Sequence, residues 1–129
     1  MNTEPKIPYS QRSEIGQQGE DDACEYLVSK GYKILCRNFH SRFGEIDIIA
    51  SCGRYIVFDE VKARGDTKIA RPAEFVEFSK QKKIEKTAQY YLMKNRTDLQ
   101  PRFDVTEIYL GAGGMTEKII HMENAWEVN

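Results

Sequence analysis

At 129 residues, 40% hydrophobic and 30% charged, the chain is long enough to bury one core and too short for two comfortable domains. A formal net charge of −1 gives no global case for nucleic-acid binding. No run approaches a membrane span or a signal-peptide apolar region, so a cytoplasmic protein with no membrane partner is expected.

Residues 1–12 are polar and contain Pro5 and Pro8, which reads as a flexible N-terminal arm ahead of a single domain over 13–129. Ser13 is placed to cap a helix with Glu14 in its first turn. Small or apolar residues recur at Ile15, Gly19, Ala23, Tyr26 and Leu27, and Gly31 is a stop signal, so a helix is expected over 13–30. Three strands follow at Tyr32–Phe39, Glu45–Ala50 and Tyr55–Ala63, joined by "HSRFG" and "SCGR". Such short connections make an antiparallel meander. Gly65–Phe78 has no period and contains Pro72, so it reads as a loop. Ser79 opens a second helix to Arg96, with Ile84, Ala88, Tyr91 and Leu92 along one stripe. Pro101 precedes a strand at Phe103–Leu110, "GAGG" makes a turn, and Thr116–Met122 forms a last strand. The order predicts an α/β fold, a central mixed five-stranded sheet flanked by helices. Cys24, Cys36 and Cys52 are an odd number without CxxC spacing, which argues against a disulfide framework and a zinc knuckle.

The best apolar runs carry charge. Asp47 interrupts Ile46–Ala50, and Asp59, Glu60 and Lys62 interrupt the strand from Tyr55. Alternation puts Glu60 and Lys62 on the face of Ile56 and Phe58, and Asp47 on the adjoining strand can face them. Taking ions out of water costs several kcal/mol each unless they are paired or metal-bound. One lysine cannot neutralise two carboxylates, whereas a hard divalent cation can, and oxygen-only ligands suit magnesium or manganese. Such an ion polarises a phosphodiester and acidifies a water, and a nearby lysine stabilises developing charge. The same residues also read as a cross-strand Glu60–Lys62 salt bridge, which spacing does not separate from a site. Glu20 lies three residues before Ala23 and seven before Leu27, beside the apolar stripe. It reads either as a further ligand, with Gly16 and Gly19 letting the helix close on the sheet, or as one carboxylate of a solvated acidic face.

Charge is also uneven along the chain. The first helix is acidic and the second, with Lys80, Lys82, Lys83, Lys86, Lys94 and Arg96, is basic. Arg37, Arg42 and Arg64 cluster with Arg54 near the strand ends, and Lys82, Lys86 and Tyr90 recur every fourth residue. Arg42, Arg64, Arg37 and Lys82 are candidate phosphate contacts; for Lys82 and Lys86 a solvated helix face is the commoner meaning. His40, His121 and Asp104 receive no role from spacing alone.

Asp47 followed, one hairpin later, by "EVK" at Glu60–Lys62 resembles the PD-(D/E)xK nuclease signature. The "GE" at Gly19–Glu20 on the upstream helix resembles the arrangement in archaeal Holliday-junction resolvases of that superfamily. More broadly, "GQQGEDDACEYLVSKGYKILCRNFHSRFGEIDIIA", "VFDEVKAR", "RFDV" and "HMENAW" resemble the YraN family of small bacterial proteins over most of the chain. The resemblance implies a restriction-endonuclease-like fold. By the family pattern Asp47 and Glu60 bind the metal, Lys62 is the catalytic lysine and Glu20 is the helix-borne acid that joins them. It implies a magnesium- or manganese-dependent nuclease acting on DNA, in branched or single-stranded form. The alternative is a non-catalytic nucleic-acid-binding protein that retains the fold. A homodimer suits an enzyme that cuts two strands, although no sequence feature marks its surface. Two departures from the pattern stand out. Asp59 occupies an expected apolar position, where a basic residue on a covering helix would serve as its partner, and Asp66–Phe78 lacks a basic, glycine-containing loop.

Overall fold

The computed structural model describes residues 14–64 and 76–128; the N-terminal arm, its Ser13 cap and residues 65–75 of the expected loop lie outside them. Helix α1 spans Glu14–Ser29, strands β1, β2 and β3 span Lys33–Ser41, Gly44–Cys52 and Tyr55–Arg64, and helix α2 spans Phe78–Lys94. Strands β4 and β5 follow at Gln100–Leu110 and Thr116–Trp126. They form one five-stranded sheet in the order β1-β2-β3-β4-β5. The β3–β4 pair is parallel and the others are antiparallel. Parallel neighbours need a long crossover, and α2 lies within it.

Each sheet face carries one helix. Alternation along β3 sends Ile56 and Phe58 toward α2, where they pack with Ile46, Ile49, Ile84, Ala88, Tyr91, Phe103 and Trp126. Val57 goes the other way, into a core with Ala23 and Leu27 of α1, Ile48, Ala50 and Ile108. Strands covered on both faces are apolar on both, which is why β2 and β3 read as near-continuous hydrophobic runs. Gly31 (φ 95°) ends α1 in the left-handed region, and the Tyr32 N–H returns to the Leu27 carbonyl at 3.0 Å. A Cβ added at Gly19 would lie 3.7 Å from Ala63 Cβ, an ordinary contact, so α1 approaches the sheet closely without requiring glycine there.

Several element ends differ from the sequence reading by a residue or more, and three have a visible cause. Helix α2 starts at Phe78, with Glu77 rather than Ser79 at the cap position and no side-chain cap bond; Gln81 makes the start instead, donating from Nε2 to the Val76 carbonyl at 2.8 Å. Strand β4 begins at Gln100, ahead of Pro101, because its start pairs in parallel with the start of β3; proline is tolerated at a strand's first residues. Strand β5 runs on to Trp126 through Asn124 (φ 52°), whose N–H leaves the ladder and donates to Asp104 Oδ1 at 2.9 Å. Among the described residues no helix is long and apolar enough to cross a membrane.

Candidate functional site

The site begins where two strands part. Strands β2 and β3 pair from Cys52–Tyr55 to Ile48–Asp59 and then separate. Beyond that point the Val61 N–H takes Asp47 Oδ2 as its acceptor at 2.8 Å. The backbone thereby draws the Asp47 carboxylate into the gap, beside Glu60 on β3. The two are 9% and 8% exposed. They line a cleft of about 120 Å³ with Gly44, Glu45, Lys80, Lys83 and Ile84.

Charge in this cleft is unbalanced. Burial, then the Glu60 charge, holds the Asp47 carboxyl well above the ordinary range; the Val61 hydrogen bond opposes this, and Glu20 and Glu45 add to it. Lys80, in the first turn of α2, reaches Glu60 Oε2 at 2.6 Å. Burial works against its ammonium, but the hydrogen bond and charge of Glu60, with the charges of Asp47 and Glu45, together outweigh burial and leave the Lys80 pKa raised. The lining therefore sets Lys80 and Lys83 against Glu45, Asp47 and Glu60, and of the two buried carboxylates Glu60 is the one in contact with the Lys80 ammonium. An all-oxygen donor pair with excess negative charge fits a hard divalent cation such as magnesium or manganese, with Asp47 and Glu60 as the groups that would hold it.

The other sequence-derived residues are not among those that line this cleft. Glu20 approaches from α1, 9% exposed, with Arg37 Nη2 at 3.6 Å. Arg37 makes its shorter contact, 2.9 Å, with Asp21. Lys62 follows Glu60 on the same face, is half-buried, and makes no ion pair among the described residues. Arg64 donates to the fully buried Glu107 at 3.0 Å, and Lys82 lies 3.1 Å from Glu85, whose other oxygen accepts the Trp126 indole N–H at 2.9 Å. Arg42 is exposed and stacks 5.1 Å from the Phe43 ring centre.

A second polar cluster, on the α1 face of the sheet, was not legible from spacing. Asp59 and Asp104 stand opposite each other in the parallel β3–β4 pair. Arg102 grips Asp104 with two hydrogen bonds, from Nε at 3.0 Å and Nη2 at 2.8 Å, and also donates to the Tyr32 hydroxyl at 2.7 Å. His121 Nε2 lies 2.7 Å from Asp104 Oδ2. Burial pushes the Asp104 carboxyl up, but the hydrogen bonds from His121, Arg102 and the Asn124 amide prevail and lower it. Ligand-type atoms of Asp59, Asp104 and His121 lie within 4.8 Å of one another, with Arg102 already supplying positive charge to Asp104. The available sequence signal was the Arg102-x-Asp104 spacing, which alternation puts on one strand face.

Asp59 finds its partner in the sheet and not on the covering helix, because α1 presents Ala23 and Leu27 to this face. Its Oδ2 accepts from Thr106 Oγ1 at 2.8 Å, while Oδ1 is buried with no hydrogen-bond partner among the described residues. Burial drives its carboxyl well up; the Thr106 bond opposes this and the Asp104 charge adds to it. A raised carboxyl stabilises fully below its unfolded pKa, and that contribution is lost as pH rises through the folded value. Asp59→Asn should therefore raise the thermal midpoint at pH 8 and change it little at pH 4. A lower midpoint at pH 8 would mean that the fold needs the charge.

A mixed five-stranded sheet with a helix on each face is an α/β fold that matches the restriction-endonuclease-like architecture. Residues 19–108 match the family described as Uncharacterised protein family UPF0102. The chain is 47% identical over 114 residues to a UPF0102 protein of Caldanaerobacter subterraneus subsp. tengcongensis, covering 87% of this chain and 93% of the relative. It is 45% identical over 115 residues to one from Thermodesulfovibrio yellowstonii, covering 89% and 97%, and 46% over 114 residues to one from Clostridioides difficile, covering 88% and 96%. The chain belongs to the UPF0102 family.

Proposed function

We propose that the protein is a metal-dependent nuclease that hydrolyses phosphodiester bonds in DNA, with magnesium or manganese held by Asp47 and Glu60. The observation that carries this reading is the pair of buried carboxylates in one open cleft, of which Glu60 alone is in contact with an ammonium, that of Lys80. When bound, the ion polarises the scissile phosphate and acidifies a water. The Val61 N–H fixes one Asp47 oxygen and so orients the carboxylate. Lys62 places an ammonium on the Glu60 face of β3, to stabilise charge that develops on the phosphate. Glu20 adds negative charge from the α1 side, which strengthens the attraction for a cation.

The test is cleavage of labelled single-stranded, duplex, flap and four-way-junction DNA with magnesium or manganese. Wild type should cut at least one of them. Lys62→Ala should lose about 100-fold or more, in the range of a removed general acid–base or electrostatic group, while calorimetric metal binding persists. The Lys80–Glu60 contact supports a second reading, a nucleic-acid-binding protein that keeps the fold and does not cut. DNA binding by the wild type without cleavage of any substrate would select it. Because the Lys80 ammonium competes with a cation for Glu60, Lys80→Met should tighten manganese binding several-fold by calorimetry. Unchanged affinity would remove Lys80 as a competitor.

A further inference from the structure

The β1–β2 turn and the Lys83–Thr87 turn of α2 meet at the mouth of the cleft. Ser41 Oγ and Thr87 Oγ1 are 3.1 Å apart, and a Cβ at Gly44 (φ 156°) would lie 3.5 Å from Lys83 Cβ, so the turn is seated on the helix. This brings two cations to the Phe43 ring: the Arg42 guanidinium carbon is 5.1 Å from its centre and Lys86 Nζ is 5.7 Å away. Lys83, on the same side of α2, lines the cleft with Asp47 and Glu60.

These cations differ from the rest of their neighbourhood. Arg37, Arg64, Lys80 and Lys82 each face a carboxylate. Arg42, Lys83 and Lys86 are exposed and form no ion pair among the described residues. Long charged side chains lose much rotamer freedom when ordered. The Phe43 quadrupole orders two of them without cancelling their charge. The result is a cationic ridge beside an acidic cleft. The carboxylates of the cleft repel a phosphate backbone, and the ridge supplies the attraction that brings one near. At ~30 Å³ per water the cleft has room for about four water molecules, the scale of one phosphodiester group, so one strand at a time fits it.

We propose that Arg42 and Lys86, ordered around Phe43, together with Lys83 at the cleft, are the docking ridge for the backbone of a single-stranded DNA segment. Seating one of its phosphodiesters at Asp47 and Glu60 rests on the nuclease reading; the ridge itself does not.

The test is anisotropy of a labelled single-stranded DNA oligonucleotide in chelator, over a range of salt. Arg42→Ala with Lys86→Ala should weaken binding at least tenfold and flatten the log–log salt dependence by about 1.4, at ~0.7 per lost single-strand phosphate contact. Lys118→Ala, which removes a β5 cation lying over the Tyr109 ring of β4, should bind as wild type does. Asp47→Ala should lose manganese binding yet hold the strand, while the ridge variant should show the reverse. Loss of the strand by the ridge variant with no manganese binding by any form would uphold the ridge and end the nuclease reading. Wild-type affinity in the ridge variant, no binding by the wild type, or binding of RNA or duplex in preference to single-stranded DNA would each overturn the ridge.

Discussion

Asp47→Asn is expected to raise the thermal midpoint of the cation-free protein and to eliminate the stabilisation that manganese gives the wild type. Both effects come from one carboxyl. Burial and the Glu60 charge hold it well above the ordinary range. Its contribution to stability is therefore complete below the unfolded pKa and is lost as pH rises through the folded value. Asparagine keeps the shape and the acceptor for the Val61 N–H and removes the charge. The charge is also what a divalent ion needs. At a ligand concentration 100 times its dissociation constant, a bound ion stabilises a fold by about 2.7 kcal/mol. Wild type should show a gain of that order in manganese and the variant none. A full manganese shift in Asp47→Asn would refute the metal centre.

Arg102→Met should give the largest loss of stability, about 3–5 kcal/mol in urea unfolding, because it leaves a buried carboxylate without its counter-charge. Asp104 is fully buried and Arg102 holds both of its oxygens. Adding Asp104→Asn should recover part of the loss, since the neutral side chain no longer needs a cation. The pH dependence has a definite sign. The Asp104 carboxyl is lowered, so its stabilisation is present above the unfolded pKa and lost as pH falls through the folded one. The Arg102→Met deficit should therefore be greatest at neutral pH and shrink in acid. A deficit below about 1 kcal/mol, in the range of an exposed ion pair, would mean that the pair is solvated.

What could be read from the chain alone was local. The 3.6-residue period and the Gly31 stop signal determined α1, whose observed limits, Glu14–Ser29, fall one residue inside the expected ones at each end. Two-residue alternation divided β3 into an Ile56–Phe58–Glu60 face and a Val57–Asp59–Val61 face, and each helix packs on the face so defined. Alternation also announced that Asp47, Glu60 and Lys62 were out of place in apolar strands. These patterns are legible because they depend on backbone geometry over a few residues.

The tertiary structure decided which charges meet. Asp59 faces Asp104 only because β3 and β4 run parallel in one register, and Glu60 meets Lys80 only because α2 begins over the end of β3. Arg42 and Lys86 share a ring because a turn and a helix converge on Phe43. Lys82, one residue from Lys83 in the chain, is instead drawn to Glu85 beneath Trp126. Electrostatic energy depends on separation and on exclusion of water, and both are set by packing between elements distant in the chain. The sequence by itself therefore determined the elements, their buried faces and the presence of misplaced charge; folding alone decided the partners of those charges.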